Sequence, residues 1–453
     1  MDAEACNQLA WKYLQAGETQ LALEHARRAH ELKRNNLDYL NTLGVAYGEA
    51  GQLDLAEETF RKALKRKPGF VHALVNLGKS LEKQERLDEA RQHYERALAI
   101  EPALPKLAAN LARIYRDRGE LGRSRSLLER HAKHLEPQDL AMGLAQSTTD
   151  DARAIAILEG AAPKSGLAAT ALAHLLLATG RWREGWNRYA RRDTTPLPQR
   201  LDGRKFLLRS EQGIGDVLFF LRFAPLLRAR GAEIALACEE KLRPILDLPR
   251  PSAGAEDLLL EDLPARLGAS DVVPAWPLKV ESSARERLAS LGPPPYLAVT
   301  WRAGTDTARG REFGGERMAL TKAVPPKALG AALRGWRGTT ILLQRGARAQ
   351  DAGEFAAGFA APFHDLSALG DELPTLLAAL SLVDEYVGVS NTNMHLLAGI
   401  GRKARVIVPY PPEWRWLRRE GRSPWFPDFP VYRQPVSRDW SEPLAALRKD
   451  LGL

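Results

Sequence analysis

The chain has 453 residues, too many for one typical domain, and the length predicts two or three domains. Hydrophobic residues make up 45% and charged residues 27%, an ordinary globular composition that excludes wholesale disorder. The net charge of +9 is spread along the chain among acids, and no Lys/Arg-rich run carries stacking aromatics. We therefore expect no nucleic-acid partner, whereas small anionic ligands fit a mildly basic protein.

The chain also lacks the patterns of a membrane or secreted protein. No apolar run approaches the ~20 residues that a membrane helix needs, and the start MDAEACNQLA has no secretory apolar core. Cys6 and Cys238 cannot make a disulfide framework, and no Cys/His cluster has metal-site spacing. We expect a cytoplasmic protein with no transmembrane segment and no metal.

The first half of the chain contains an internal repeat. Residues 37–70 and 71–104 match at an offset of 34 residues. Eight positions recur: Leu40, Leu43, Gly44, Tyr47, Ala56, Phe60, Ala63 and Pro68 return as Leu74, Leu77, Gly78, Leu81, Ala90, Tyr94, Ala97 and Pro102. This is the tetratricopeptide (TPR) pattern, in which small residues let two helices approach, an aromatic fills the gap and proline ends the second helix.

Weaker copies flank the two clear repeats. Residues 3–36 and 105–138 keep part of the pattern, a degenerate helix pair follows from 139, and a last pair contains LLLATGRWREGWNRYARR. Terminal repeats are expected to be atypical because one face has no neighbour. The sequence therefore predicts an α-solenoid over residues 1–193.

A polar row occupies the sixth position of successive repeats. Its members are Gln8, Thr42, Asn76 and Asn110. One interpretation is a groove whose side chains hydrogen-bond an extended protein or peptide partner. The other is that these residues contact water or a neighbouring helix.

After the proline-containing linker TTPLPQR at 194–200, the periodicity changes. Short apolar runs (KFLLR, AEIALAC, YLAVTW, TTILLQR, VDEYVGV, ARVIVP) alternate with stretches of helix length. This alternation predicts parallel sheets built from βαβ units. We expect two Rossmann-like halves, 203–290 and 291–453, the second ending in a helix, with a ligand in the cleft at the carboxyl ends of the strands.

Candidate site residues follow the predicted strands. EQGIGD, with Gln212, Gly213, Gly215 and Asp216, follows the first strand; Arg302, Arg309 and Arg311 follow YLAVTW; Gln344 follows TTILL; and Ser390, Asn391, Thr392, Asn393 and His395 follow VDEYVGV. Small polar residues at a helix start leave N–H groups free for an anion, and arginines can neutralise a diphosphate.

Each candidate also has a structural interpretation. The EQGIGD turn is neither a Walker loop nor a full dinucleotide fingerprint, and such turns commonly just connect a strand to a helix. The arginine-rich loop is equally consistent with a solvated loop. His395 on an apolar helix face is typical of a packed core histidine.

From about 166 to 440 the chain resembles bacterial TPR-containing proteins with a glycosyltransferase-like C-terminal region. These are related to lipopolysaccharide heptosyltransferases and more distantly to O-linked N-acetylglucosamine transferases. The matching pieces are GRWREGWNRYARR, EQGIGD with FLRFAPLLRARGAEIAL, VTWRAG, LLQRG, HLLAGIG and the tail YPPEWRWLRREGRSPWFPDFPVYRQ. The resemblance implies a GT-B fold and metal-independent transfer from a nucleotide-sugar donor held by the second half, with no cofactor.

The resemblance also implies roles for single residues. Asp216 matches the heptosyltransferase general base, which deprotonates an acceptor hydroxyl and gives inversion. Residues 390–395 match the donor-binding loop, where relatives usually carry Asp-Thr and this chain has Ser390 and Asn391. Arg302, Arg309 and Arg311 become candidates for the diphosphate, and Gln212, Gly213 and Gly215 for the acceptor side.

The leading hypothesis is an inverting GT-B glycosyltransferase whose TPR arm recruits a protein or glycan acceptor. The alternative is a non-catalytic TPR scaffold with a degenerate glycosyltransferase-like region, which the missing Asp-Thr pair favours. A third hypothesis, a nucleic-acid binder, predicts strongly salt-dependent binding, and we do not expect it.

Overall fold

A computed structural model describes residues 1–104, 106–249, 254–280, 290–303, 322–418 and 421–453, and the backbone of the strands Glu312–Phe313 and Glu316–Arg317. The chain divides into two compact units, Met1–Ile157 and Leu158–Leu453. The division falls inside one helix.

The first unit is entirely helical in its described residues. Its helices are α1 (Ala3–Ala16), α2 (Thr19–Leu32), α3 (Leu37–Glu49), α4 (Leu53–Arg66), α5 (Val71–Lys83), α6 (Leu87–Ile100), α7 (Leu107–Asp117), α8 (Leu121–Arg130), α9 (Pro137–Gln146) and α10 (Asp151–Ala161), which crosses the division. Successive helices from α1 to α9 pack on one another in chain order, so the unit is a solenoid of helical hairpins. This part of the sequence-based fold prediction is confirmed.

Close helix approach in the hairpins α3–α4 and α5–α6 depends on one glycine and one aromatic ring in each. A Cβ built on Gly44 would lie 2.5 Å from the Phe60 ring, and one built on Gly78 would lie 2.3 Å from the Tyr94 ring. Phe60 and Tyr94 are buried, so neither ring has room to withdraw. The repeat pattern therefore encodes a steric fit between helices.

We expect Gly78→Ala to destabilise the solenoid by about 1–3 kcal/mol, because the added methyl group overlaps a ring held in the core. Gly122 is the matched control: it also lies inside a helix, but no described atom lies within 4 Å of the position that its Cβ would take. Gly122→Ala should be neutral or stabilising by about 0.5–1 kcal/mol. Urea unfolding of both variants measures this, and equal effects would contradict the steric explanation.

The second unit is α/β. Its described elements are α11 (Gly166–Ala178), α12 (Trp182–Tyr189), β1 (Lys205–Arg209), α13 (Ile214–Leu221), α14 (Ala224–Ala229), β2 (Glu233–Leu236), β3 (Glu256–Leu259), α15 (Leu263–Leu267), β4 (Tyr296–Val299), β5 (Glu312–Phe313), β6 (Glu316–Arg317), α16 (Pro326–Leu333), β7 (Thr339–Leu342), α17 (Ala349–Phe359), β8 (His364–Asp365), α18 (Leu373–Leu382), β9 (Glu385–Val389), α19 (Thr392–Gly399), β10 (Arg405–Val408), β11 (Val431–Arg433) and α20 (Ser441–Asp450). Helices α11 and α12, which the sequence analysis placed in the solenoid, belong to this unit. The three-domain boundaries remain a prediction.

Two parallel sheets organise the second unit. The first has the strand order β2-β1-β3 and the second the order β11-β10-β9-β4-β7-β8. Every pairing within these two sheets is parallel. Because carboxyl ends of parallel strands lie at one edge, the loops that carry the candidate residues gather at the strand ends of each sheet.

An aromatic cluster joins α12 and α13 to the C-terminal tail. Trp186 is 1% exposed, and its ring centroid lies 5.3 Å from that of Trp414, 5.9 Å from Trp425 and 6.0 Å from Phe220. Edge-to-face contacts of this kind stabilise beyond simple area burial. The segment GRWREGWNRY is therefore part of the core of the second unit.

We expect a fragment of residues 151–453 to fold cooperatively and a fragment of residues 194–453 to aggregate, since the second lacks Trp186 and uncovers Trp414 and Trp425. Size-exclusion chromatography and thermal unfolding of the two fragments measure this difference. A soluble, cooperatively unfolding 194–453 fragment would contradict it.

Candidate functional site

A cavity of about 530 Å³ lies at the carboxyl ends of strands from both sheets of the second unit. The described residues that line it follow β1, β2, β4, β7, β8, β9 and β10. Ten residues singled out by the sequence analysis are among them: Gly213, Gly215, Asp216, Arg302, Gln344, Ser390, Asn391, Thr392, Asn393 and His395. The topology thus brings together segments far apart in the chain.

Asp216 lies in the first turn of α13, where its carboxylate meets an arginine from the C-terminal tail. Its Oδ1 accepts a hydrogen bond of 2.5 Å from Nη2 of Arg415, and the Asp216 side chain stays 28% exposed. A carboxylate at a helix N-terminus is favoured by the helix dipole. The Asp216 carboxylate is therefore held in place and accessible from the cavity.

Arg415 is one member of a chain of four charges. Its Nη1 donates to Oε1 of Glu413, and Oε2 of Glu413 accepts from Nζ of Lys322 at 2.5 Å. The Arg415 and Glu413 side chains are only 7% and 9% exposed. Alternating charges make burial tolerable here, because each buried charge has a partner of opposite sign.

The pKa values follow this pairing. Burial by itself would raise the pKa of Glu413, but the Lys322 and Arg415 cations outweigh it and hold that pKa well below its usual range. Burial would lower the pKa of Arg415, but the Glu413 and Asp216 carboxylates raise it. Both groups stay ionised at neutral pH.

In the predicted donor loop, Asn391 and Asn393 belong to a buried polar network. Asn391 Oδ1 caps α19 by accepting from the Asn393 backbone N–H, and its Nδ2 donates to Thr300 Oγ1 at 2.9 Å. Asn393 Nδ2 donates to the Tyr386 hydroxyl at 2.9 Å. These two amides position the start of α19 over the ends of β4 and β9.

Ser390 and Thr392 behave differently from the two asparagines. Ser390 Oγ donates to Glu413 Oε2 at 2.9 Å, so a carboxylate from the tail stands beside the loop. Thr392 lines the cavity, and within the described parts of the chain no hydrogen bond engages its hydroxyl. The Thr392 hydroxyl is thus an open donor of the loop, whereas the N–H groups of Asn393 and Met394 are already bonded to Asn391.

His395 is packed as a core histidine although it also lines the cavity. It is 8% exposed, with its ring edge-to-face against Phe219 and Phe426. Burial, and then the nearby cations of Arg415 and Arg222, lower its pKa well below the ordinary value. It is neutral at physiological pH and carries no charge for a diphosphate.

Arg302 and Gln344 lie at the ends of β4 and β7. Gln344 Oε1 accepts from the Trp301 and Arg302 N–H groups at 2.9 and 2.8 Å, and its Nε2 donates to the Arg345 carbonyl. Gln344 therefore joins two strand ends, a structural role that the sequence analysis did not anticipate. Arg302 is 6% exposed and donates to the Gly346 carbonyl at 2.7 Å.

Arg309 and Arg311, the other diphosphate candidates, lie outside the described residues. Their role stays a prediction.

On the predicted acceptor side, Gly213 and Gly215 line the cavity at the start of α13, whereas Gln212 lines a separate depression of about 320 Å³. Gly213 has a φ of −74°, which any residue adopts. A Cβ on Gly215 would meet Thr392 and His395 at 3.4–3.6 Å, ordinary contact distances. Neither backbone strain nor crowding requires these glycines.

In the solenoid, the polar row is used mostly within the unit. Thr42 is buried, and its hydroxyl donates to the Asp38 carbonyl, so it is withdrawn from the predicted groove. Asn76 Nδ2 donates to Asn41 Oδ1 on the neighbouring repeat at 3.1 Å. Gln8 donates to Glu4 in the same helix, and Asn110 is half-buried. The neighbouring-helix interpretation applies to Asn76.

Sequence reasoning missed the roles of Glu413 and Arg415. Both lie in the tail segment PPEWRW, which is one of the pieces that carry the resemblance but to which the sequence analysis assigns no chemistry. Two opposite charges that alternate with two tryptophans are the available signal, because charges inside an apolar motif are costly unless they are paired.

Among the described residues, no group of three or more His, Cys, Asp or Glu side chains is arranged to hold a metal ion. No helix in the same parts of the chain has the length and apolarity needed to cross a bilayer.

Two tetratricopeptide-repeat family models match the first unit, over residues 41–105 and 81–146. No curated protein matches the chain.

Similar solved structures include proteins described as TPR proteins. PilF of Pseudomonas aeruginosa has 22% identity over 41% of this chain and 86% of its own, with a TM-score of 0.36. A thermophilic TPR protein of Thermus thermophilus has 22% identity over 39% of this chain and 99% of its own, with a TM-score of 0.32. The first TPR of Spaghetti, bound to an HSP90 peptide, has 21% identity over 25% of this chain and 90% of its own, with a TM-score of 0.24. The chain carries TPR repeats in its first unit.

Buried histidines beside the site should make the stability of the second unit depend on pH. Burial, and then the Arg415 cation, lower the pKa of His174 from 6.5 to about 4. Protons therefore bind His174 more tightly in the unfolded chain than in the folded one. The contribution of His174 to stability is complete above pH 6.5 and is lost as the pH falls towards 4. The unfolding free energy of the wild type should fall between pH 7.5 and pH 5. We expect this fall to be about 2 kcal/mol smaller in His174→Gln.

Urea unfolding at the two pH values measures this effect. The control is His72→Gln, which changes an exposed histidine of α5. A pH dependence in His174→Gln as steep as in the wild type would contradict the prediction.

Proposed function

We propose that the second unit is an inverting, metal-independent glycosyltransferase of the GT-B type, acting on a nucleotide-sugar donor. The observation that carries the proposal is the convergence of the candidate residues on one cavity at the carboxyl ends of two parallel sheets. Ligands of open α/β sheets bind at such edges. The resemblance of the same segments to glycosyltransferase-like proteins supplies the reaction class.

The charge of the cavity suits a diphosphate. Its described lining includes five cationic side chains, Lys241, Arg302, Lys322, Arg345 and Arg415, against three carboxylates, Asp216, Glu239 and Glu413. Two helices, α13 and α19, also begin there, and helix N-termini favour anions. A nucleoside diphosphate near α19 would meet this excess positive charge.

In this proposed reaction Asp216 accepts a proton. As the acceptor oxygen attacks the anomeric carbon, its proton moves to the Asp216 carboxylate and the bond from the anomeric carbon to the diphosphate oxygen breaks. The departing nucleoside diphosphate gains one negative charge while the group Asp216, Arg415, Glu413 and Lys322 goes from neutral to positive. This charge change opposes the negative charge that develops on the leaving group.

The acceptor, in this proposal, is a protein or glycan recruited by the solenoid. Stacked helical hairpins form extended concave surfaces that bind partners. Since Thr42 is buried and Asn76 is bonded to Asn41, recognition would rest on the groove's exposed side chains, such as Gln8 and the half-buried Asn110.

A specific observation favours a non-catalytic scaffold as the second candidate. Gln344, Ser390, Asn391 and Asn393 already have internal hydrogen-bond partners, and the Asp216 carboxylate is ion-paired. Such a domain would bind a nucleotide sugar without turnover, or bind none.

Thermal shift with UDP-, GDP-, ADP- and dTDP-sugars, followed by a donor-hydrolysis assay with and without EDTA, separates the two candidates. We expect one nucleotide class to raise the melting temperature and to be hydrolysed slowly, with no effect of the chelator. Absence of a response across the panel would favour the scaffold.

We expect Asp216→Asn to lower the transfer rate by about 10²–10⁴-fold while nucleotide binding persists, because Asn keeps the shape but cannot take the proton. Asp257→Asn is the control, since Asp257 lies in β3, next to the strand that precedes α13, with its side chain 65% exposed. Turnover by the purified variant at the wild-type rate would refute the base assignment.

A further inference from the structure

The C-terminal tail contributes a carboxylate that the glycosyltransferase hypothesis has not used. Glu413 precedes a short 3-10 helix, Trp414–Trp416, and its side chain is 9% exposed. Oε1 accepts from Arg415, while Oε2 accepts from Ser390 at 2.9 Å and from Lys322 at 2.5 Å. One buried carboxylate thus contacts the donor loop, the segment after β4 and the arginine that holds Asp216.

Arg415 transmits this contact to Asp216. Its guanidinium lies between two rings, 4.5 Å from the Phe219 centroid and 4.3 Å from that of Trp414, and it is 7% exposed. Such a group has few alternative positions, since leaving the rings or its carboxylates exposes a buried charge. The location of Arg415, and with it the Asp216 carboxylate, depends on Glu413.

The proposed donor loop, residues 390–395, contains no carboxylate of its own, and Ser390 and Asn391 stand where the resemblance implies an Asp-Thr pair. Glu413 lies within hydrogen-bond distance of Ser390, so a carboxylate is present beside the loop although it comes from 23 residues further along the chain. Ser390 is also small enough to leave room for that side chain.

We propose that Glu413 is a positioning residue that holds the Asp216 carboxylate through Arg415 and orders the donor loop through Ser390 and Lys322, in place of the loop's missing acid. The catalytic part of this proposal rests on the proposed glycosyltransferase function. The physical part, a coupling between Glu413 and Asp216, does not.

Glu413→Gln tests the catalytic part, since it keeps the side-chain shape and removes the charge. We expect kcat to fall about 10–100-fold with a smaller change in KM for the donor, as is usual when a supporting contact is lost. In the Asp216→Asn background, Glu413→Gln should have little further effect on kcat, because Glu413 acts on the reaction through Asp216. Glu233→Gln is the control, its side chain being 67% exposed.

A stability cycle of wild type, Glu413→Gln, Asp216→Asn and the double variant tests the coupling without an activity assay. Each single variant leaves Arg415 one carboxylate, whereas the double variant leaves a buried cation with neither. The two changes should therefore be non-additive. The folding equilibrium constant of the double variant should lie about threefold or more below the value obtained by multiplying the wild-type constant by the two single-variant factors.

The outcomes separate the two proposals. Additive stabilities, or a Glu413→Gln enzyme with the wild-type kcat, would overturn the role of Glu413 and leave the glycosyltransferase proposal standing. A coupled cycle in a protein that transfers no sugar from any donor would keep the positioning of Asp216 and remove the proposed reaction. Coupling together with a selective loss of kcat supports both.

Discussion

The second unit depends on a buried guanidinium with a carboxylate on either side. Arg415 contacts Asp216 at the start of α13 and Glu413 in the tail, and Glu413 in turn contacts Lys322. Taking one such charge out of water is costly, and only partners of opposite sign with good geometry offset that cost. Segments following β1, β4 and β10 must therefore meet at one place, which is also the cavity wall. The same ion pairs therefore constrain both the cavity wall and the packing of the second unit.

The tail motif is mainly a core motif. Trp414, Trp416, Trp425 and Phe426 are each at most 4% exposed, and they surround the few charges described above. Arg222, 1% exposed, donates to the Trp425 carbonyl and so fastens α13 to the same cluster. Aromatic residues at fixed spacing are conspicuous in a sequence because each fills a large, specific volume. The tail motif therefore indicates how the cavity wall is packed more directly than it indicates which ligand the cavity binds.

The solenoid shows how a polar pattern can have two meanings. Asn76 bonds to Asn41 and so helps to align successive repeats, whereas Thr42 bonds within its own helix. A buried polar group without a partner is costly, which is why such positions favour amides and hydroxyls even where no ligand is bound. Partner recognition by this unit would then depend on the exposed residues of the inner helices.

The sequence by itself determined the TPR repeats, the change to α/β periodicity and ten of the residues that line the cavity, because period and strand order are local patterns whose consequences at a sheet edge follow from topology. It did not determine that α12 belongs to the second unit, since the partners of Trp186 lie up to about 240 residues away. Nor could it show that Gln344 joins strand ends or that Glu413 stands beside Ser390. Hydrogen bonds and ion pairs across such separations exist only once the chain has folded, so tertiary structure alone decided which polar side chains are occupied and which remain open to a ligand.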